Sequence, residues 1–123
     1  MPKKVILVGH CGPDSSYLRL AVGSASKGVS IALAHSDASL DKLIDEGVDL
    51  VLLNRELEYG FSTDVGVEMI QRLREKYPNL KMMLVSNYPE AQEAAVQAGA
   101  MAGFGKSQIG TRRVSDLLTQ ALA

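Results

Sequence analysis

Five short apolar runs recur along the chain, at residues 5–8, 31–34, 50–53, 82–85 and 101–104. They are continuous rather than alternating, the pattern of strands covered by helices on both sheet faces. The fifth is the weakest, because Ala102 and Gly103 contribute little β-propensity. Segments of helical period separate the runs. The first carries Leu18, Ala21, Val22 and Ala25 behind Pro13, Asp14 and Ser15, with Asp14 the expected cap, and Gly28 closes it. The second starts near Ser36 or Asp37, aligns Leu40, Leu43 and Ile44, and stops at Gly47. The third starts near Ser62 and Thr63, buries Met69, Ile70 and Leu73, and ends before Pro78. Pro89 takes a first-turn position in the fourth, whose slim face is Ala91, Ala94, Ala95 and Ala98 ahead of Gly99. The last runs from near Thr111 with Val114, Leu117, Leu118, Ala121 and Leu122 apolar.

Alternating strands and helices predict an α/β fold with a parallel sheet, helices on both faces and right-handed crossovers. Five strands and five helices suit a flavodoxin-like doubly wound sheet, order 2-1-3-4-5, forming one domain over residues 1–123. Ligands of such sheets bind beyond the carboxyl ends of the strands, near the switch point between strands 1 and 3. Residues 9–14, 54–64, 86–89 and 105–107 are therefore the loops to search.

Composition narrows the function classes. Lys and Arg number 13 against 14 Asp and Glu, a net charge of −1. That near-neutrality lacks the broad basic field of a nucleic-acid binder. A hydrophobic fraction of 46% with 22% charged residues belongs to an ordered globular chain. The single cysteine, Cys11, excludes an internal disulfide and fits a reducing cytoplasm. No apolar run approaches the roughly 18 residues of a membrane span. Lys3 and Lys4 before Val5 imitate a secretory signal, but the apolar stretch falls short of the usual core of about 7–15 residues. A cytoplasmic protein without a membrane partner is expected.

His10-Cys11 invites a metal or thiol reading. One Cys and two His fall short of the four ligands of a structural zinc site, and Cys11 has no Cys-x-x-Cys partner. Gly9-His10-Cys11-Gly12 lacks the spacing of a dinucleotide-binding or P-loop motif. No cofactor and no metal site is expected, and an enzyme of flavodoxin-like fold using His10 or Cys11 is a third reading.

Three segments carry a more specific signal: Val48-Asp49-Leu50-Val51-Leu52-Leu53-Asn54, Lys81-Met82-Met83-Leu84-Val85-Ser86-Asn87-Tyr88, and Ala98-Gly99-Ala100 leading to Lys106. In order and spacing the chain resembles the receiver domain of bacterial two-component response regulators over essentially its whole length. The resemblance implies a phosphoacceptor aspartate after strand 3 and an acidic pair after strand 1, which together with a backbone carbonyl hold Mg²⁺. It also implies a hydroxyl after strand 4 and a lysine after strand 5 that contact the phosphoryl oxygens.

The chain departs from this pattern where the chemistry would occur. Asn54 stands at the phosphoacceptor position, and a carboxamide nitrogen is too poor a nucleophile to take a phosphoryl group. Gly9 and His10 stand at the acidic pair. With these carboxylates absent, Mg²⁺ binding is expected to be weak or absent. Asp14 is the nearest replacement. Glu56 matches the carbonyl-supplying position, with a side chain free to turn inward. Ser86 and Lys106 match the retained hydroxyl and lysine, although Ser107 replaces the usual proline. Lys106 is expected to bond Asn54 or a loop carbonyl, and Ser86 either serves the pocket or caps the turn before Pro89. Gly103 stands at the switch-aromatic position, with Phe104 one residue later and facing the opposite way. The stretch from Asn54 to Glu68 is longer than usual, and its Glu58-Tyr59-Gly60-Phe61 reads as a flexible loop.

These features point to a degenerate receiver domain without enzymatic activity, acting in two-component phosphorelay signalling as a phosphorylation-independent interaction module. Its partners would be signalling proteins, a histidine kinase or an effector, or a second copy through helix 4, strand 5 and helix 5. No output domain is expected after the last helix. The alternative is a small anion- or metabolite-sensing domain that uses the former phosphorylation pocket, where Lys106 remains and the carboxylates do not.

Overall fold

A computed structural model describes residues 2–57 and 59–123. Its elements alternate as the apolar runs predict: β1 (Lys4–Val8), α1 (Gly12–Ala25), β2 (Ser30–Ala34), α2 (Asp37–Asp45), β3 (Leu50–Asn54), α3 (Gly66–Lys76), β4 (Met82–Val85), α4 (Pro89–Gln97), β5 (Met101–Phe104) and α5 (Arg112–Ala121). A 3₁₀ turn, Lys106–Gln108, links β5 to α5. All five strands pair in parallel, order β2-β1-β3-β4-β5.

Two apolar layers sandwich the sheet. Ile6, Val8, Val51, Leu53, Met82 and Leu84 face α2, α3 and α4, meeting Leu40, Ile44, Met69, Ile70, Leu73 and Ala95. Val5, Leu7, Leu50, Leu52, Met83, Val85 and Phe104 face α1 and α5, meeting Leu18, Val22, Val114 and Leu118. Strands β1, β3 and β4 are covered on both sides, which is why their runs are uninterrupted. The edge strands are not. Leu33 of β2 and Met101 of β5 are partly exposed, so a continuous apolar run overstated their burial.

Local chemistry sets most boundaries. Ser36 and Ser39 cap α2 reciprocally, backbone N–H to side-chain oxygen at 3.1 Å in both directions. Two expectations are corrected. Asp14 does not cap α1: Cys11 is the N-cap residue, without a side-chain cap, and Asp14 lies in the first turn. Helix α3 begins at Gly66 rather than near Ser62. The preceding residues are tied elsewhere: Glu56 bridges Val65, Leu57 N–H donates to the Asp64 carbonyl at 2.9 Å, and Ser62 donates to the Asp37 carboxylate. Residues 56, 57 and 62–65 are thus tied back to the fold on either side of the stretch read as a flexible loop. Phe61 packs against the core while Tyr59 is fully exposed, and Glu58 lies outside the described residues. Among the described residues no helix is long and apolar enough to cross a membrane.

Candidate functional site

The parallel order brings the carboxyl ends of β1, β3, β4 and β5 to one edge, and with them Gly9, His10, Asn54, Ser86 and Lys106. A cavity of about 120 Å³ opens there, lined by Asn54, Arg55, Glu56, Val85, Ser86, Asn87, Tyr88 and Lys106.

Asn54, the last residue of β3, is half-buried. Its Nδ2 donates to the Gly9 carbonyl at 3.1 Å and to the Glu56 carbonyl at 2.8 Å. The carboxamide thereby joins the β1 and β3 ends across the switch point. Gly9 adopts a φ of +77°, open to glycine at little cost. A Cβ there would lie 2.7 Å from Leu57 Cδ2. The buried Leu57 side chain thus covers Gly9, and the loop after β3 places apolar carbon beside the end of β1.

His10 turns inward and is 8% exposed. Its ring Nε2 is 2.9 Å from the Leu52 carbonyl, so that nitrogen carries the proton and donates. The other ring nitrogen is buried with no partner among the described residues. Burial pushes the ring below its ordinary value, with the Lys106 charge adding to the shift. His10 is therefore a neutral core residue at neutral pH.

Lys106 differs from expectation. Its Nζ pairs with Asp14 Oδ2 at 3.0 Å, not with Asn54 or a loop carbonyl. Asp14, released from capping, stands on the first turn of α1 opposite the lysine. The hydrogen bond from Lys106 holds the Asp14 carboxyl below its ordinary value. The Glu56 carbonyl faces in, as its position implies, while its side chain turns outward and pairs with Arg55 at 3.0 Å.

Ser86, 4% exposed, accepts the Tyr88 N–H at 3.2 Å on Oγ and so holds the turn into α4. The Arg55 guanidinium lies 4.4 Å over the Tyr88 ring at the cavity mouth. At the end of β5, Phe104 packs toward α1 and α5, whereas Gly103 faces Gln92 of α4, so adjacent residues point oppositely. Among the described residues no group of three or more His, Cys, Asp or Glu side chains is arranged to hold a metal.

Sequence reasoning missed Leu57, Arg55, Tyr88 and Gln92. The first lies in a stretch whose composition implies mobility, although its apolar side chain beside polar neighbours is a burial signal. The pairing of Arg55 with Tyr88 crosses between two strand ends, which no local pattern reports.

No protein-family model and no curated protein matches the sequence. Solved structures do. The signal receiver domain of a DNA-binding response regulator from Colwellia psychrerythraea superposes with a TM-score of 0.74 at 15% identity, 96% of each chain being covered. The receiver domain of NtrX from Brucella abortus gives 0.71 at 21% identity over 98% of each. The beryllofluoride-activated NtrC4 receiver domain dimer gives 0.74 at 18% identity, covering 99% of this chain and 97% of that one. At such identities the likeness concerns the fold, and this chain has the five-stranded wound sheet of a response-regulator receiver domain.

Proposed function

We propose that this chain is a degenerate receiver of two-component signalling that works as a protein-interaction module, without phosphoryl transfer and without enzymatic activity. The observation that carries the proposal is Asn54: it offers no carboxylate, and its amide protons are spent on the carbonyls of Gly9 and Glu56. The donor set does not suit Mg²⁺. The Glu56 carbonyl already accepts the amide, Gly9 has no side chain, His10 is directed into the core, and Leu57 covers the approach. Asp14 is already matched by Lys106, so the pocket is internally balanced without a cation. The partners are signalling proteins, and the protein acts in the cytoplasm. A second copy is one partner the α4–β5–α5 surface admits: α4 displays Glu90 and Glu93, and α5 begins with Arg112 and Arg113. A two-fold interface pairs each such patch with the opposite patch of its neighbour.

An amide NMR titration with Mg²⁺ followed by beryllofluoride tests this reading. Spectra that do not move are expected. Saturable shifts centred on Asn54, Ser86 and Lys106 would overturn it.

One observation favours a second reading. The small cavity gathers the buried Ser86 hydroxyl, Lys106 and Arg55, and a small oxyanion bound there would compete with Asp14 and Glu56 for the two cations. Titration with inorganic phosphate and sulfate separates the two readings: shifts at Arg55 and Ser86 with either anion, but none with Mg²⁺, would identify an anion sensor.

A further inference from the structure

Helix α4 packs Ala95 and Ala91 on the core and sends one polar side chain to the backbone of the sheet. Gln92 reaches inward, and its Nε2 lies 2.9 Å from the Leu84 carbonyl, 3.1 Å from the Ser86 carbonyl and 3.1 Å from the Phe104 carbonyl. Leu84 and Phe104 belong to β4 and β5, whose ladder shifts register between Met83 and Val85. The amide thus serves carbonyls at the place where ladder pairing is irregular; the Phe104 carbonyl also accepts the Ser86 N–H at 2.9 Å, so Gln92 adds a second donor there. Gln92 Oε1 is buried with no partner among the described residues. It lies against Gly103, where a Cβ would sit 2.8 Å from that oxygen and would also collide with the Leu84 carbonyl oxygen. Gly103 is thus required by the backbone of β4, and Gln92 occupies the space the glycine leaves. The glycine clears the space between α4 and β5, and the glutamine fills it with a group that bonds the backbone of both strands.

We infer that Gln92 is a built-in lock that holds α4 in one position against β4 and β5. An apolar side chain in this space would leave α4 free to slide over a greasy contact. A donor shared among three carbonyls has one low-energy placement and resists displacement as a unit. The lock also shapes the neighbouring groove of about 430 Å³, whose walls include Gln92, Glu93 and Val96 on one side and Gly105 and Arg113 on the other. This inference goes beyond the proposed function, since it concerns the mobility of α4 and holds whatever the surface meets.

Hydrogen exchange and relaxation dispersion on the free protein, without Mg²⁺ or any phosphoryl mimic, test it. In the wild type, α4 and β5 amides should give flat dispersion profiles. Gln92→Met keeps the length of the side chain and removes the donor. Its α4 amides should exchange about tenfold faster or more, with the amides of β1 and β3 changing far less, since losing the shared hydrogen bonds weakens the local closing equilibrium by that order. Equal protection of α4 in Gln92→Met and wild type, or acceleration spread evenly over the whole molecule, would overturn the lock. So would microsecond-to-millisecond exchange in α4 of the wild type, a measurement that decides the matter even if the variant does not fold.

Discussion

Replacing Asn54 by aspartate tests whether the carboxamide is what makes the pocket self-sufficient. The substitution keeps the shape and turns the Nδ2 donor into a carboxylate oxygen, placed where two carbonyl oxygens now lie at 3.1 and 2.8 Å. Two hydrogen bonds worth about 0.5–1.5 kcal/mol each are lost, or about 1–3 kcal/mol together. The new charge gains no compensating cation nearby, because Lys106 is engaged by Asp14 and Arg55 by Glu56. With that repulsion included, Asn54→Asp should lose about 2–4 kcal/mol near neutral pH, since an uncompensated charge in a half-buried site adds to the lost bonds. Asn54→Ala, which loses the bonds and gains no charge, should lose only about 1–3 kcal/mol. The carboxyl group introduced by Asn54→Asp should titrate higher in the folded state, because its protonated form can donate to one carbonyl. A raised folded value makes the folded protein the stronger proton binder, so the deficit should shrink as pH falls from about 7 to about 5. Urea denaturation of the three proteins at several pH values measures this. Millimolar Mg²⁺ should recover part of the deficit of the aspartate variant and leave the wild type unchanged, because only the variant offers a carboxylate not already paired with a cation. If Asn54→Asp matched the wild type to within about 0.5 kcal/mol at all pH values, the amide would not be satisfying those carbonyls and the reasoning would fail.

Leu57→Ala should lose about 2–4 kcal/mol in urea denaturation, because a buried side chain that covers Gly9 is removed; a loss under about 1 kcal/mol would mean the loop does not seal the end of β1. Wild-type stability should decline as pH drops below about 6.5, since His10 titrates lower in the folded protein than in the unfolded chain and acid favours the latter. His10→Gln should flatten that slope, and an unchanged slope would locate the titration elsewhere. Lys106→Met should cost about 1 kcal/mol or less for a partly exposed pair, with the difference from wild type fading at high salt. A larger, salt-independent loss would show that Lys106 holds the pocket by something other than its ion pair with Asp14.

The order of the apolar runs, the helix-breaking glycines and prolines, and the start of the second helix near Ser36 or Asp37 were all legible before folding, because they report local period and local chemistry. Five continuous runs separated by amphipathic segments admit few topologies other than a wound parallel sheet, and the sheet has the expected order. The sequence by itself also determined what is missing from the strand ends, since Gly9, His10 and Asn54 supply no carboxylate in any conformation. What it did not determine is how the remaining groups satisfy one another. Lys106 meets Asp14 rather than Asn54 because α1 starts one turn earlier than its capping residues imply, which carries Asp14 round to face the 3₁₀ turn. Leu57 covers Gly9 because the segment before α3 is held to Asp37 and Val65, contacts set by the packing of other elements. Gln92 reads as an ordinary polar helix residue until the register shift between β4 and β5 gives its amide carbonyls to serve. Periodicity states which residues leave water. Which donor meets which acceptor depends on distances between strand ends far apart in the chain, and only the tertiary structure sets those.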